Sequence, residues 1–234
     1  MTPTKAENPP RTSTLLAELL PIGVITAELS GEGNPKLLLV DERQLLGRAV
    51  PKRAREFAAG RLCARYAVEQ FGIENFAVGA HGDRRPRWPS FLTGSITHTD
   101  GLSAAAVGER VRFHAIGIDV ERIGRVPGEI WSHILLASEM AWLKSLPVSE
   151  QAKVVTLMFS AKEAFYKCQY EVTRQWLEFK DVAVEFFSGN LDRGSFAVRP
   201  VRSIKLFERG SSSAIVAFAS TNDIVLTAMT IAAH

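Results

Sequence analysis

Ile116-Gly117-Ile118-Asp119-Val120-Glu121 is an apolar run that ends in two carboxylates. Side chains alternate along a strand, so a spacing of two aims Asp119 and Glu121 at the same side. Like charges on one face repel unless they are solvated or a cation lies between them. One reading is a strand end fraying into solvated acids. The other is a seat for Mg²⁺, which accepts one or two carboxylates while keeping water and phosphate oxygens.

Downstream, Phe159-Ser160-Ala161-Lys162-Glu163-Ala164-Phe165-Tyr166-Lys167-Cys168 reads as helix. Glu163 and Lys167 are four apart and share a face, with Lys162 one step round from Glu163. This is either a surface ion pair, or a third metal ligand flanked by two ammonium groups that bind phosphate. Phe159, Tyr166 and Phe165 are candidate anchors in the core.

Upstream, Gly94-Ser95-Ile96-Thr97-His98-Thr99-Asp100-Gly101 sets one histidine among hydroxyls between two glycines. A lone histidine is commonly structural, but small polar surroundings also let the ring and backbone approach a phosphate. From Pro51 onward Ala59, Leu62, Cys63, Tyr66 and Ala67 form one apolar helical stripe. Arg53, Arg61 and Arg65 lie opposite it, and Arg84, Arg85 and Arg87 crowd the Gly- and Pro-rich loop over residues 79–94. A solvated basic face explains them; so does a phosphomonoester gripped from two sides by planar guanidinium forks.

The rest of the chain supplies a core. Of 234 residues 46% are apolar and 23% charged, which excludes a disordered chain. That length permits one large α/β unit or two half-sized lobes. Strands are expected at residues 24–29, 102–107, 115–120, 182–186, 203–207, 214–219 and 224–231, and helices around 139–146 and 151–170. A long helix precedes sheet twice, which suggests two lobes. Residues 1–12, polar and Pro-rich, are expected to be a loose arm.

Lys plus Arg is 28 against 25 Asp plus Glu, a net charge of +3 that suits some anionic partner. Cys63 and Cys168 stand far apart with no metal-binding spacing, so neither a disulfide framework nor a zinc site is signalled. No run reaches the roughly 18 apolar residues of a spanning helix, and the N-terminus lacks a hydrophobic signal region. A cytoplasmic protein without membrane contact is the expectation.

Taken in order, Lys52-Arg53-Ala54-Arg55-Glu56-Phe57-Ala58-Ala59-Gly60-Arg61, Arg85-Pro86-Arg87-Trp88-Pro89, Gly94-Ser95-Ile96-Thr97-His98, the Asp119/Glu121 strand and the Lys162–Lys167 helix resemble the 4'-phosphopantetheinyl transferases. The likeness is to the enterobactin-synthase-component and surfactin-type group, and it covers most of the chain. Trp176-Leu177-Glu178-Phe179 adds a weaker echo.

The resemblance implies transfer of the phosphopantetheine arm of coenzyme A to a serine of an apo acyl or peptidyl carrier protein, with release of 3',5'-ADP. Pathways of that kind make siderophores, polyketides or nonribosomal peptides. It implies an α+β fold of two similar α/β lobes with pseudo-two-fold symmetry, residues 1–113 and 114–234, with the active site between them. Asp119, Glu121 and Glu163 would hold Mg²⁺. Lys162 and Lys167 would bind phosphate oxygens, as Asp119 would bind the cofactor through the metal. His98 and Thr97 would contact a phosphate, with Arg53, Arg61 and one of Arg84 or Arg85 nearby. Glu163 is the candidate general base, directly or through a metal-bound water, and Lys167, which would neutralise phosphate charge, is the other candidate catalytic residue. Thr97-His98-Thr99 stands where Ser-His-Ser is common in the family, and arginine replaces the lysine before the Pro-x-Trp-Pro turn.

The expected partners are coenzyme A and a carrier protein, with no nucleic acid, and the chain is expected to be a monomer. Two rival readings remain open. A coenzyme A-dependent acyltransferase using His98 as base would not need the metal. A basic nucleic-acid-binding protein would account for the arginines, although no basic run carries the interleaved aromatics that stack bases.

Overall fold

The computed structural model describes residues 9–207 and 213–233. The first half places α3 (Pro51–Glu69) on a three-stranded antiparallel sheet of β1 (Ile25–Ser30), β5 (Leu102–Glu109) and β4 (Leu92–Thr99), in that order. Two short helices, α1 (Thr14–Ala17) and α2 (Val40–Gln44), and a small hairpin of β2 (Gly79–Ala80) with β3 (Pro86–Arg87) complete it. The second half begins with β6 (Phe113–Arg122), runs through α4 (Trp131–Ile134) and α5 (Ala137–Ser145), and reaches the long α6 (Val148–Thr173). It then folds β7 (Val182–Gly189), β8 (Arg193–Pro200), β9 (Ala214–Ser220) and β10 (Ile224–Ala232) into an antiparallel sheet of order β6-β10-β9-β8-β7. A long helix on an antiparallel sheet thus occurs in each half, an α+β arrangement.

The apolar stripe of α3 is buried as its period demands: Ala59, Leu62, Cys63 and Ala67 pack on Ala27, Leu29, Ala105 and Val107. Pro51 opens that helix at a position where no amide partner is needed. On α6, Phe165 is fully buried and packs in the core of the second half, and Phe159 and Tyr166 lie at its margin. Gly117 brings α6 close to β6, because a Cβ there would stand 2.0 Å from the Ala164 carbonyl oxygen and 2.8 Å from the Cys168 amide. That approach sets the acids of β6 beneath the helix.

The two sheets meet through side chains. The Ile118 amide donates to Ser95 Oγ (3.2 Å) and the Val120 amide to Thr97 Oγ1 (3.2 Å), so β4 and β6 run side by side in the same direction. These hydroxyls satisfy buried backbone donors that have no strand partner on that edge. Behind them Leu16, Leu20, Ala104, Ala106, Ile116, Ile118, Leu226 and Ala228 form a shared apolar layer.

Three expectations need correction. Residues 203–207 form a turn and not a strand, while β8 (Arg193–Pro200) was not foreseen. The Arg11 amide and carbonyl pair with Glu28 (2.9 and 2.8 Å) and its guanidinium meets the Glu28 carboxylate, so the arm is docked from that point. Residues 1–8 lie outside the described residues. Among those described, no helix is long and apolar enough to cross a membrane.

Candidate active site

A cleft of about 830 Å³ runs where the two halves meet. α3 contributes Arg53, Glu56, Phe57 and Arg61; β4 contributes Thr97 and His98; the β2–β3 turn contributes His81 and Arg84. β6 and α6 face them with Asp119 and Glu121, and with Phe159, Glu163 and Lys167. Strand alternation and the i,i+4 helical spacing account for this convergence without any special geometry.

Asp119 is the buried centre. Its Oδ1 accepts from Thr97 Oγ1 (2.9 Å) and from Lys167 Nζ (2.7 Å), and the same ammonium donates to the Ile118 carbonyl (3.2 Å). Its Oδ2 is buried with no hydrogen-bond partner. An uncompensated buried carboxylate oxygen is costly, which makes it the atom to ask about.

The electrostatics agree. Burial pushes the Glu121 carboxyl up to about 7, with Asp119 and Glu163 adding repulsion that Lys167 only partly offsets. Glu163 is raised as well, first by burial and against the pull of Lys167. Lys167 loses hydration, but Asp119 and Glu163 more than restore its charge and hold it above the ordinary lysine value. Three acids therefore share one lysine, and the excess negative charge calls for a cation.

A divalent ion fits these donors. All three are hard oxygens, and the orphaned Asp119 Oδ2 has an acceptor site to give. Among the described residues, no group of three or more His, Cys, Asp or Glu side chains forms a preassembled metal cage. The arrangement suits an ion that keeps water or substrate oxygens, as Mg²⁺ does, better than one held wholly by protein.

The opposite wall is basic. Arg61 is 6% exposed, its guanidinium lies 4.4 Å over the Phe57 ring, and Nη2 donates to the Gly79 carbonyl (3.3 Å). Burial pulls it down to about 10, and its Nε has no partner. Arg53 Nη1 lies 2.6 Å from His98 Nε2, and Glu56 stands 3.6 Å from Arg53 and 3.8 Å from His98.

One sequence expectation is overturned, and one left open narrows. Lys162 does not reach the cleft. It is 2% exposed, and Nζ donates to Glu139 Oε2 (2.7 Å) and to the carbonyls of Ile134 (2.9 Å) and Phe179 (2.9 Å). One residue's step round the helix from Glu163, about 100°, turns it out of the cleft toward Glu139, Ile134 and Phe179. Of the adjacent arginines, Arg84 lines the cleft and Arg85 points away to Glu171 (2.6 Å). Thr97 is present but buried, its hydroxyl spent on Asp119 and Val120. Glu56 and His81 were not foreseen; Glu56 could have been found three residues after Arg53 on the same helix.

Comparison with known proteins follows the same lines. Residues 41–108 match the family model described as the 4'-phosphopantetheinyl transferase N-terminal domain, and residues 115–220 match the 4'-phosphopantetheinyl transferase superfamily. The chain is 35% identical over 183 residues to the 4'-phosphopantetheinyl transferase Npt of Nocardia iowensis, covering 77% of this chain and 82% of that one. It is 34% identical over 178 residues to PptT of Mycobacterium tuberculosis, covering 74% and 78%. A solved holo-[acyl-carrier-protein] synthase from Thermotoga maritima overlaps 49% of this chain and 61% of its own, at 24% identity and a TM-score of 0.36, too slight a likeness to bear on the fold.

Proposed function

We propose, from the premise that this chain belongs to the 4'-phosphopantetheinyl transferase family, that the cleft between α3 and α6 is where its reaction takes place. The chain is a transferase that moves the phosphopantetheine arm of coenzyme A to a serine of a carrier protein. Family membership supports phosphopantetheinyl transfer over an acyl transfer by His98. In this reading residues 1–113 and 114–234 act as two lobes that each supply one wall.

The observation that carries the assignment is the buried, partnerless Asp119 Oδ2 beside Glu121 and Glu163, with Arg53, Arg61 and Arg84 on the facing wall. Asp119, Glu121 and Glu163 would hold Mg²⁺, which supplies charge neutralisation at the diphosphate of coenzyme A. Lys167 is held by Asp119, the Ile118 carbonyl and, at 3.5 Å, Thr97 Oγ1 on the cleft wall, so its ammonium places positive charge where a phosphate would lie. Arg53, Arg61 and Arg84, with His98, provide the fork-shaped donors for the remaining phosphate charge.

In the transfer itself the serine Oγ bonds to the phosphorus of the phosphopantetheine group, and the bond from that phosphorus to the bridging oxygen breaks. 3',5'-ADP leaves with that oxygen. Glu163, on the cleft wall beside Lys167, is the group placed to take the serine proton. Most of the acceleration then comes from positioning and charge stabilisation, as in other phosphoryl-type transfers.

The test is to incubate the protein with coenzyme A, Mg²⁺ and a panel of apo acyl and peptidyl carrier proteins and weigh the products. A gain of one phosphopantetheine on at least one carrier, lost when a chelator is added, is the expected result. Transfer that survives the chelator would remove the metal assignment, and no transfer to any carrier would remove the function.

A further inference from the structure

The turn between β2 and β3 is closed by the His81 amide donating to the Arg85 carbonyl and the Arg84 amide to the His81 carbonyl, each at 2.9 Å. Arg84 at its tip is left-handed, with φ of 70°. A non-glycine residue adopts that conformation only where the surroundings hold it. Its effect is to send two consecutive arginines apart: Arg84 to the cleft, Arg85 to α6.

The holding group is Glu171. Its Oε2 accepts from Arg85 Nη1 (2.6 Å) and Arg174 Nη1 (3.1 Å), and its Oε1 from Arg110 Nη2 (3.0 Å). The side chain is 13% exposed, and although burial works the other way, the three arginines keep the carboxyl below its ordinary range. Arg85 is braced on its other edge by Asp83 (2.7 Å) and lies over the Tyr170 ring (5.9 Å). Two of the three guanidiniums come from the half of the chain opposite to α6. Glu171 is also four residues on from Lys167 and eight from Glu163, so the helix that carries the site's acid and lysine carries this clasp too.

We propose that Glu171 is a positioning residue that, by gripping Arg85, holds the β2–β3 turn against α6 and aims Arg84 at a phosphate of the bound nucleotide. This role rests on the reading of the cleft as the coenzyme A site. Glu171 touches no substrate; it acts through one residue's neighbour. Loss of the carboxylate frees the turn, and the left-handed Arg84 relaxes away from the cleft.

The test is a cycle of four proteins: wild type, Glu171→Gln, Arg84→Ala and the double variant, with coenzyme A binding measured by calorimetry and transfer by steady-state kinetics. Glu171→Gln keeps the shape of the side chain and is expected to weaken coenzyme A binding by about three- to tenfold, with KM rising in parallel and kcat at saturating coenzyme A within about twofold. In the Arg84→Ala background the same change is expected to cost nothing further, which general loosening of the fold would not produce. Arg85→Ala should reproduce the effect by a second route. Equal losses in both backgrounds, or unchanged coenzyme A affinity in Glu171→Gln, would overturn the role alone. A wild-type protein that does not bind coenzyme A would overturn the cleft assignment and this role with it.

Discussion

Lys162 gives the sharpest contrast between a residue that binds substrate and one that holds the fold. Its ammonium makes three hydrogen bonds, to Glu139, Ile134 and Phe179, inside the second half. Glu139 in turn accepts the amides of Leu136 (2.7 Å) and Val184 (2.6 Å), so one ion pair joins α5, α6 and β7. Burial pulls the Lys162 ammonium below its ordinary value even with Glu139 beside it, so desolvation outweighs the attraction. The pair is costly to break all the same. Lys162→Met removes the counter-charge and leaves a buried carboxylate and two carbonyls unpaired, at about 3–5 kcal/mol. For a chain of this size that is a fall in midpoint of roughly 6–20 °C. Thermal unfolding followed by circular dichroism reads this directly. Coenzyme A affinity, measured well below the new midpoint, should stay within about twofold, because Lys162 does not face the cleft. Replacing both partners, Glu139→Leu with Lys162→Met, removes the lone charge but orphans the Leu136 and Val184 amides, so it should recover only part of the loss. A Lys162→Met protein with a wild-type midpoint and coenzyme A affinity weakened about tenfold would refute the argument and return Lys162 to the phosphate site.

Gly117→Ala should drive α6 off β6, since the new Cβ would meet two backbone atoms, at 2.0 and 2.8 Å. The midpoint should fall by a few degrees, and kcat by about tenfold or more as Glu163 and Lys167 shift together; an unchanged kcat would contradict the close packing. Glu171 predicts an acid dependence. Its folded carboxyl titrates below the ordinary 4.5, so its stabilisation is complete above that value and fades as pH falls through the folded value. The midpoint gap between wild type and Glu171→Gln should shrink on acidification, and a gap that widens would contradict the clasp.

Much of the site was legible because two simple periods place it. Alternation along β6 puts Asp119 and Glu121 on one face, and a four-residue step on α6 puts Glu163 and Lys167 on another, so their meeting needs only that helix and strand pack together. Gly117, visible in the same run, is what lets them. The failures have equally physical causes. Lys162 is adjacent to Glu163 in sequence, and only Glu139, twenty-three residues upstream, reveals which way it turns. No local pattern tells Arg84 from Arg85, because the choice is made by a left-handed backbone and by Glu171 on a remote helix. β8 opens with Arg193-Gly194-Ser195, which reads as loop, and it is strand because Phe196 and Val198 fill the core between β7 and β9. Conversely, residues 203–207 alternate like a strand but pair with no strand among the described residues. The docking of Arg11 depends wholly on Glu28.

The central claim is that Asp119, with its free Oδ2, anchors a divalent ion on which transfer depends. Asp119→Asn keeps the side chain's volume and its acceptor for Thr97 and Lys167 while removing the charge. Transfer of phosphopantetheine to an apo carrier protein, followed by intact-protein mass spectrometry across a Mg²⁺ titration, tests it. The account predicts a rate at least about a hundredfold lower at every Mg²⁺ concentration, in a protein whose unfolding shows a cooperative transition like that of the wild type. Wild-type turnover by folded Asp119→Asn at the same Mg²⁺ would contradict it.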